Sequence, residues 1–167
     1  MIEFFRVDSR LIHGQIVEGW LKTIKVDEVV IIDDFVRESS FEKKILRFSL
    51  PRDIDLEIMS VREAAARWAD IIASAKRFFI LFQSVNMLSR LYDCLGDANV
   101  SRGPAERMPP VNIGLINFTD SKVALTKSVY LDEREKKQLS DLIDEGVEIF
   151  TQTLPSGEKL SMGALLK

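Results

Sequence analysis

The sequence predicts a single α/β domain over residues 1–167, with a mostly parallel central sheet of about six to seven strands and helices on both faces. Three observations carry this. Short β-branched and aromatic runs alternate with amphipathic segments of helical period. Several of those runs are apolar at nearly every position, as strands covered on both faces are. Capping residues stand where the two kinds of segment meet.

The first strand spans residues 2–7. An amphipathic helix over about 14–24 follows, with Ile16, Val17, Trp20, Leu21 and Ile24 along one side. Residues 28–33 form a second, almost wholly β-branched strand, and 56–59 a third. Ser60 with Glu63 makes a capping box that opens a helix over 61–73. The fourth strand is 78–82. A helical run over 87–95 follows and takes Cys94 as an apolar packing residue. Residues 96–110, rich in Gly, Pro, Asn and Asp, read as a long loop. The fifth strand is 111–116, with short strands at 123–125 and 129–131. Asp132 with Glu135 opens a helix to about residue 145, which Gly146 stops. Residues 148–152 are the last strand. Trp20 and Trp68 fit helix faces as anchors, and the charges over 133–137 make a solvated helix face.

Composition excludes several classes of function. A net charge of −3, with basic and acidic residues interspersed, leaves no basic face for nucleic acid. No apolar run reaches the roughly 20 residues of a membrane helix, and the opening residues lack the features of a secretory signal. One cysteine gives no disulfide framework and suits a reducing, cytoplasmic setting. One cysteine and one histidine do not make a zinc site, so neither metal nor other cofactor is expected.

The one histidine lies in Arg6-Val7-Asp8-Ser9-Arg10-Leu11-Ile12-His13-Gly14-Gln15, directly after the first strand. Ligands of open parallel sheets bind beyond the carboxyl ends of the strands, so this loop falls on the functional edge. Gln83 and Ser84 after the fourth strand and Gly114 in the fifth are expected at the same edge. A neutral imidazole is a phosphate nucleophile near neutral pH. Arg6 and Arg10 can neutralise phosphoryl oxygens, while Asp8 can hold one ring nitrogen's proton and leave the other free. Gly14 clears a path to the amides of the following helix start, where Gln15 lies. Leu11 and Ile12 either dock partners or fill space beneath the loop. A purely structural histidine, with the arginines pairing to Asp8 or Glu3, is the competing reading. A histidine-phosphatase site would need an arginine at position 12 and a second histidine. A nucleotide-binding module would need a Gly-rich phosphate loop that the chain lacks.

The run from Arg6 to Gln15 resembles the phosphorylation loop of IIB components of the mannose/fructose/sorbose family of the bacterial sugar phosphotransferase system. The likeness extends to residues 28–34, to Val111-Asn112-Ile113-Gly114, to 128–132 and to 146–149. The resemblance implies a transferase in which His13 is the phosphocarrier and Arg6, Asp8 and Arg10 are its loop partners. It also implies a IIA phosphohistidine as donor and a sugar held by a IIC/IID membrane permease as acceptor. Such a chain would be cytoplasmic and peripheral to the inner membrane through that permease. Two departures stand out: Leu115 replaces the second glycine of the family's Asn-x-Gly-Gly, and 83–86 replaces a Thr/Lys-x-Pro-like loop. A phosphorylated relative serving in regulation without sugar transport would carry the same loop. The sugar, and the choice between monomer and homodimer, are left open.

Overall fold

A computed structural model of the chain describes residues 1–97 and 109–167. Most of the expected loop over 96–110 lies outside the described residues. The elements are β1 (Ile2–Asp8), a π-helical turn Gln15–Trp20 running into Leu21–Thr23 (together α1), β2 (Glu28–Ile32), α2 (Asp34–Glu38), α3 (Ser40–Ser49) and β3 (Asp55–Met59). Then come α4 (Val61–Ala66), α5 (Trp68–Ala73), β4 (Phe78–Phe82), α6 (Val85–Asp97), β5 (Val111–Leu115), β6 (Val123–Ala124) and β7 (Tyr130–Leu131). The chain closes with α7 (Glu133–Asp144), β8 (Ile149–Thr151), β9 (Leu160–Ser161) and α8 (Met162–Leu165).

The central sheet has seven strands in the order β3-β2-β4-β1-β5-β8-β9. All its pairings are parallel except β8 with β9. The expected short strands at 123–125 and 129–131 leave this sheet and pair with each other as the antiparallel β6-β7 ribbon. Both sheet faces are buried. Phe5, Val7, Val30, Ile32, Ile80 and Phe82 pack under α4 to α7 together with Trp68, Leu88 and Leu139. Phe4, Val29, Ile31, Phe79 and Leu81 point the other way, against Ile16, Trp20, Val36 and Leu46 of α1 to α3. Each such side chain removed from water contributes about 1.5–3 kcal/mol, which is why the strands read as continuous apolar runs.

Local chemistry sets the boundaries. Asp33 caps α2 by accepting from the Phe35 and Val36 amides at 2.9 and 2.9 Å. The Ser60–Glu63 and Asp132–Glu135 capping boxes both form as expected. The expected continuous helix over 61–73 is instead two, broken at Arg67 (φ −100°, ψ 7°), where Trp68 enters the core and stacks 6.1 Å from Phe5. Neither α2, α3, β9 nor α8 was expected from the sequence. Leu11 and Ile12 are buried beneath the loop, which decides their role as filling.

Glu63 also receives both ends of Arg37, at 2.8 and 2.9 Å, and these hydrogen bonds with the Ser60 amide hold its carboxyl down to about 2. A carboxylate depressed in the folded state stabilises above its unfolded pKa and loses that contribution as pH falls toward its folded pKa. Glu63→Gln is therefore expected to be less stable than wild type near pH 7, with the gap closing between about pH 4.5 and 2. Urea melts of both proteins across that range check it. A gap that does not narrow on acidification would remove the carboxylate from the cap.

Candidate functional site

Strand parity decides the fate of the first functional residue. Phe4, Arg6 and Asp8 share the β1 face that α1 covers, so Arg6 has no exposed surface. Register sets it beside Asn112 on β5. All five guanidinium N–H groups have an acceptor. Nε and Nη2 donate to Asp8 Oδ2 at 3.1 and 2.8 Å, Nη1 to Asn112 Oδ1 and to the Gln152 carbonyl at 3.0 Å, and Nη2 also to the Thr153 carbonyl at 3.3 Å. Trp20 covers the guanidinium at 5.4 Å and donates its own Nε1–H to Thr153 O at 3.1 Å. Burial draws the Arg6 pKa below its ordinary value, and the adjacent Asp8 carboxylate opposes this.

Asp8, equally buried, distributes its remaining acceptor capacity along the loop. Oδ1 accepts from the Arg10 amide at 3.0 Å, and the two oxygens lie 3.2 and 3.1 Å from Nε2 of His13. The backbone turns sharply here: Leu11 N donates to the Asp8 carbonyl at 3.0 Å and Leu11 sits at φ 52°. A β-branched or bulky residue pays about 1–3 kcal/mol for such a conformation. The buried Leu11 and Ile12 side chains hold it in place. The His13 side chain is 11% exposed, and Nδ1 has no partner among the described residues.

Glycine 114 is where the sequence reading needs correction. The register between β1 and β5 shifts at this point, from Val7 opposite Ile113 to Asp8 opposite Leu115, so Gly114 is the extra residue of a bulge. A Cβ there would lie 1.8 Å from Arg6 Cζ. Gly114 is thus clearance for the guanidinium rather than a phosphate contact. Arg6 is corrected likewise: with every donor engaged and no exposed surface it positions Asp8 and does not clamp phosphate directly.

Arg10 takes the opposite place. It is exposed, and its guanidinium has no partner among the described residues. Gly14 is exposed with open space about its Cα. Gln15 is half-buried, and its Oε1 is enclosed without a hydrogen-bond partner. It lines a groove of about 460 Å³ with Glu18, Lys22, Leu154 and Pro155. The helix expected over 14–24 forms as Gln15–Thr23, and its first part winds as a π-helical turn. β4 neighbours β1, which brings Gln83 and Ser84 to the same sheet edge, but Ser84 Oγ is engaged by the Met87 amide at 3.4 Å as a cap of α6. The residues that sequence reasoning missed are Gln152 and Thr153, whose carbonyls meet Arg6. Asn112 stood only within a segment of family likeness, and Trp20 only as an anchor. Backbone acceptors leave no side-chain signal, and only the buried charge at Arg6 could have prompted a search for them.

Among the described residues no group of three or more His, Cys, Asp or Glu side chains converges as a metal site, and no helix is long and apolar enough to cross a membrane. The comparisons with known proteins agree along the whole chain. It is 28% identical over 169 residues to a probable phosphotransferase enzyme IIB component of Streptococcus pyogenes, covering 99% of both. It is 24% identical to the mannose-specific EIIAB component of Escherichia coli, matching 99% of this chain and 48% of that one. The crystal structure of ManxB from Thermoanaerobacter tengcongensis superposes with a TM-score of 0.84 at 28% identity, over 99% of this chain and 95% of that one. The family described as "PTS system sorbose subfamily IIB component" matches residues 2–167, and the chain belongs to that family.

Proposed function

We propose that this IIB component carries a phosphoryl group on Nδ1 of His13, taking it from a IIA phosphohistidine and giving it to a sugar held by a IIC/IID permease. The observation that carries the reading is the pairing of His13 Nε2 with Asp8. A carboxylate opposite Nε2 keeps the proton there and leaves the Nδ1 lone pair as the nucleophile. Nδ1 attacks phosphorus as the donor's N–P bond breaks, and Asp8 stabilises the positive imidazole that results. In the onward step a sugar hydroxyl forms the O–P bond, the His13 N–P bond breaks, and the hydroxyl proton is released. Arg10, unpaired and exposed, closes over the transferring oxygens, and the open amides at Gly14 and Gln15 receive them from the other side. Gln83 stands at the same edge without a side-chain partner among the described residues and contributes a further donor. The joined IIA and IIB parts in the name of the E. coli mannose component support a IIA donor. The chain works in the cytoplasm and reaches the membrane through the permease.

The test is phosphoryl transfer from phosphoenolpyruvate through the general phosphotransferase proteins and a cognate IIA, read by intact mass. Wild type is expected to gain one acid-labile phosphate and His13→Ala none; a gain on the variant overturns the assignment. Arg10→Ala is expected to fold normally and accept phosphate at least about tenfold more slowly, the equivalent of about 1.4 kcal/mol. Unchanged kinetics would take Arg10 out of the step.

Gly114→Ala tests the support beneath the loop, because the new methyl would expel the Arg6 guanidinium. Separating a buried ion pair costs about 3–5 kcal/mol, so the variant is expected to lose that much in urea denaturation. Asn112→Ala, which strips one acceptor from Arg6, is expected to lose about 1–3 kcal/mol and to slow transfer to His13. Full stability in both variants would show that Arg6 does not depend on this cradle.

A further inference from the structure

Helix α3 has two apolar sides, and the sheet can cover only one. Leu46 and Leu50 face the core. Phe41, Ile45 and Phe48, spaced i, i+4 and i+7, form a stripe on the opposite side and are 71%, 48% and 89% exposed. Phe35 on α2, just before it, is 76% exposed. A phenylalanine presents about 150–250 Å² to be buried, so the three rings leave roughly 350–600 Å² of aromatic surface in water. That equals the largest apolar patch of an ordinary monomer, about 300–600 Å². It also matches the apolar share, rather over half, of the roughly 800 Å² that one partner contributes to a standard interface.

We propose that this face pairs with the same face of a second copy, α3 running antiparallel to its counterpart about a two-fold axis near Ile45. The charges around the stripe support a self-complementary partner. Glu38 and Glu42 lie toward the amino end of α3, Lys44 sits beside Ile45 at its middle, and Arg52 lies beyond its carboxyl end. All four are exposed and without an ion pair among the described residues. The remaining cations are already occupied: Lys43 donates to the Arg37 carbonyl at 3.0 Å, and Arg47 to the Ile54 and Pro51 carbonyls at 2.7 and 3.0 Å. An antiparallel pairing brings Glu38 and Glu42 of one copy toward Arg52 of the other and sets Phe41 opposite the second copy's Phe48. An anionic bilayer would instead select basic residues throughout the rim, and the mixed signs here do not provide that. The position also leaves the histidine loop open. α3 joins β2 to the edge strand β3, whereas His13 follows β1, on the other side of β4.

Sedimentation velocity of the whole chain from about 1 to 100 µM, the weak end of what an interface of standard size gives, tests this. Wild type is expected to be a dimer within that range. Phe48→Glu and Phe41→Glu are each expected to raise the dissociation constant at least about thirtyfold, the scale of an interface hot spot. Circular dichroism and the urea midpoint of these exposed-site variants should match wild type, which separates lost pairing from lost folding. A monomeric wild type at every concentration overturns the proposal. So does a dimer that neither glutamate weakens, and so does a monomer that co-sediments with phosphatidylglycerol vesicles through Phe48.

Discussion

The carboxyl edge of this molecule is organised by one buried ion pair. Moving Arg6 and Asp8 out of water costs several kcal/mol per ion, and that cost is met only when every remaining donor and acceptor finds a partner. Five N–H groups on one side and two carboxylate oxygens on the other therefore dictate much of their surroundings. They require a side-chain amide at 112, two carbonyls after β8, a backbone amide at 10 and an imidazole at 13. They also require a missing side chain at 114 and an aromatic lid at 20. Several of these contacts join residues more than 100 positions apart, so the loop is shaped only when β1, β5 and β8 are already side by side. Folding of the sheet and preparation of the histidine are one event.

That same long range explains what the sequence disclosed and what it withheld. The core strands were legible because burial on both faces forces β-branched and aromatic residues into every position of β2 and β4. The histidine loop was legible because its partners are consecutive: Asp8, Arg10 and His13 reach one another within five residues. α3 was hidden because apolar residues lie on two opposite sides of it. Phe41, Ile45 and Phe48 offset Leu46 and Leu50, and no single stripe marks a core face. Gly114 could be read as phosphate clearance because the need for an absent side chain looks the same in sequence whether a ligand or an arginine fills the space.

The turn at Leu11 shows how the loop resists relaxation. A left-handed leucine would ordinarily revert to an extended backbone, and nothing in its own chemistry favours φ 52°. Two constraints act on it from both sides. The Asp8 carbonyl holds its amide, and the apolar layer of α1 to α3 holds its side chain and that of Ile12. The π-helical winding that begins at Gln15 follows directly, with the Ile16 and Val17 amides donating to the His13 carbonyl at 2.9 and 3.0 Å and Ile16 and Trp20 both buried. Local preference loses here to burial, as it commonly does where a reactive side chain must be held.

Two arginines four residues apart end in opposite states, and the difference suits the proposed carrier role. A group that must be accepted and then surrendered gains nothing from a site that grips it equally tightly throughout, because only interactions stronger in the transition state speed either transfer. A rigid positive cage around His13 would deepen the phosphorylated state and slow its discharge. Strand parity turns Arg6 inward, where its charge fixes the carboxylate that orients the imidazole and never competes for the cargo. The turn after Asp8 throws Arg10 outward, held among the described residues by its backbone amide, which under the proposed function leaves its guanidinium free to follow the phosphorus between partners. On the proposed reading, fixed charge sets the nucleophile and free charge meets the phosphoryl group, a division that a single arginine at either position could not supply.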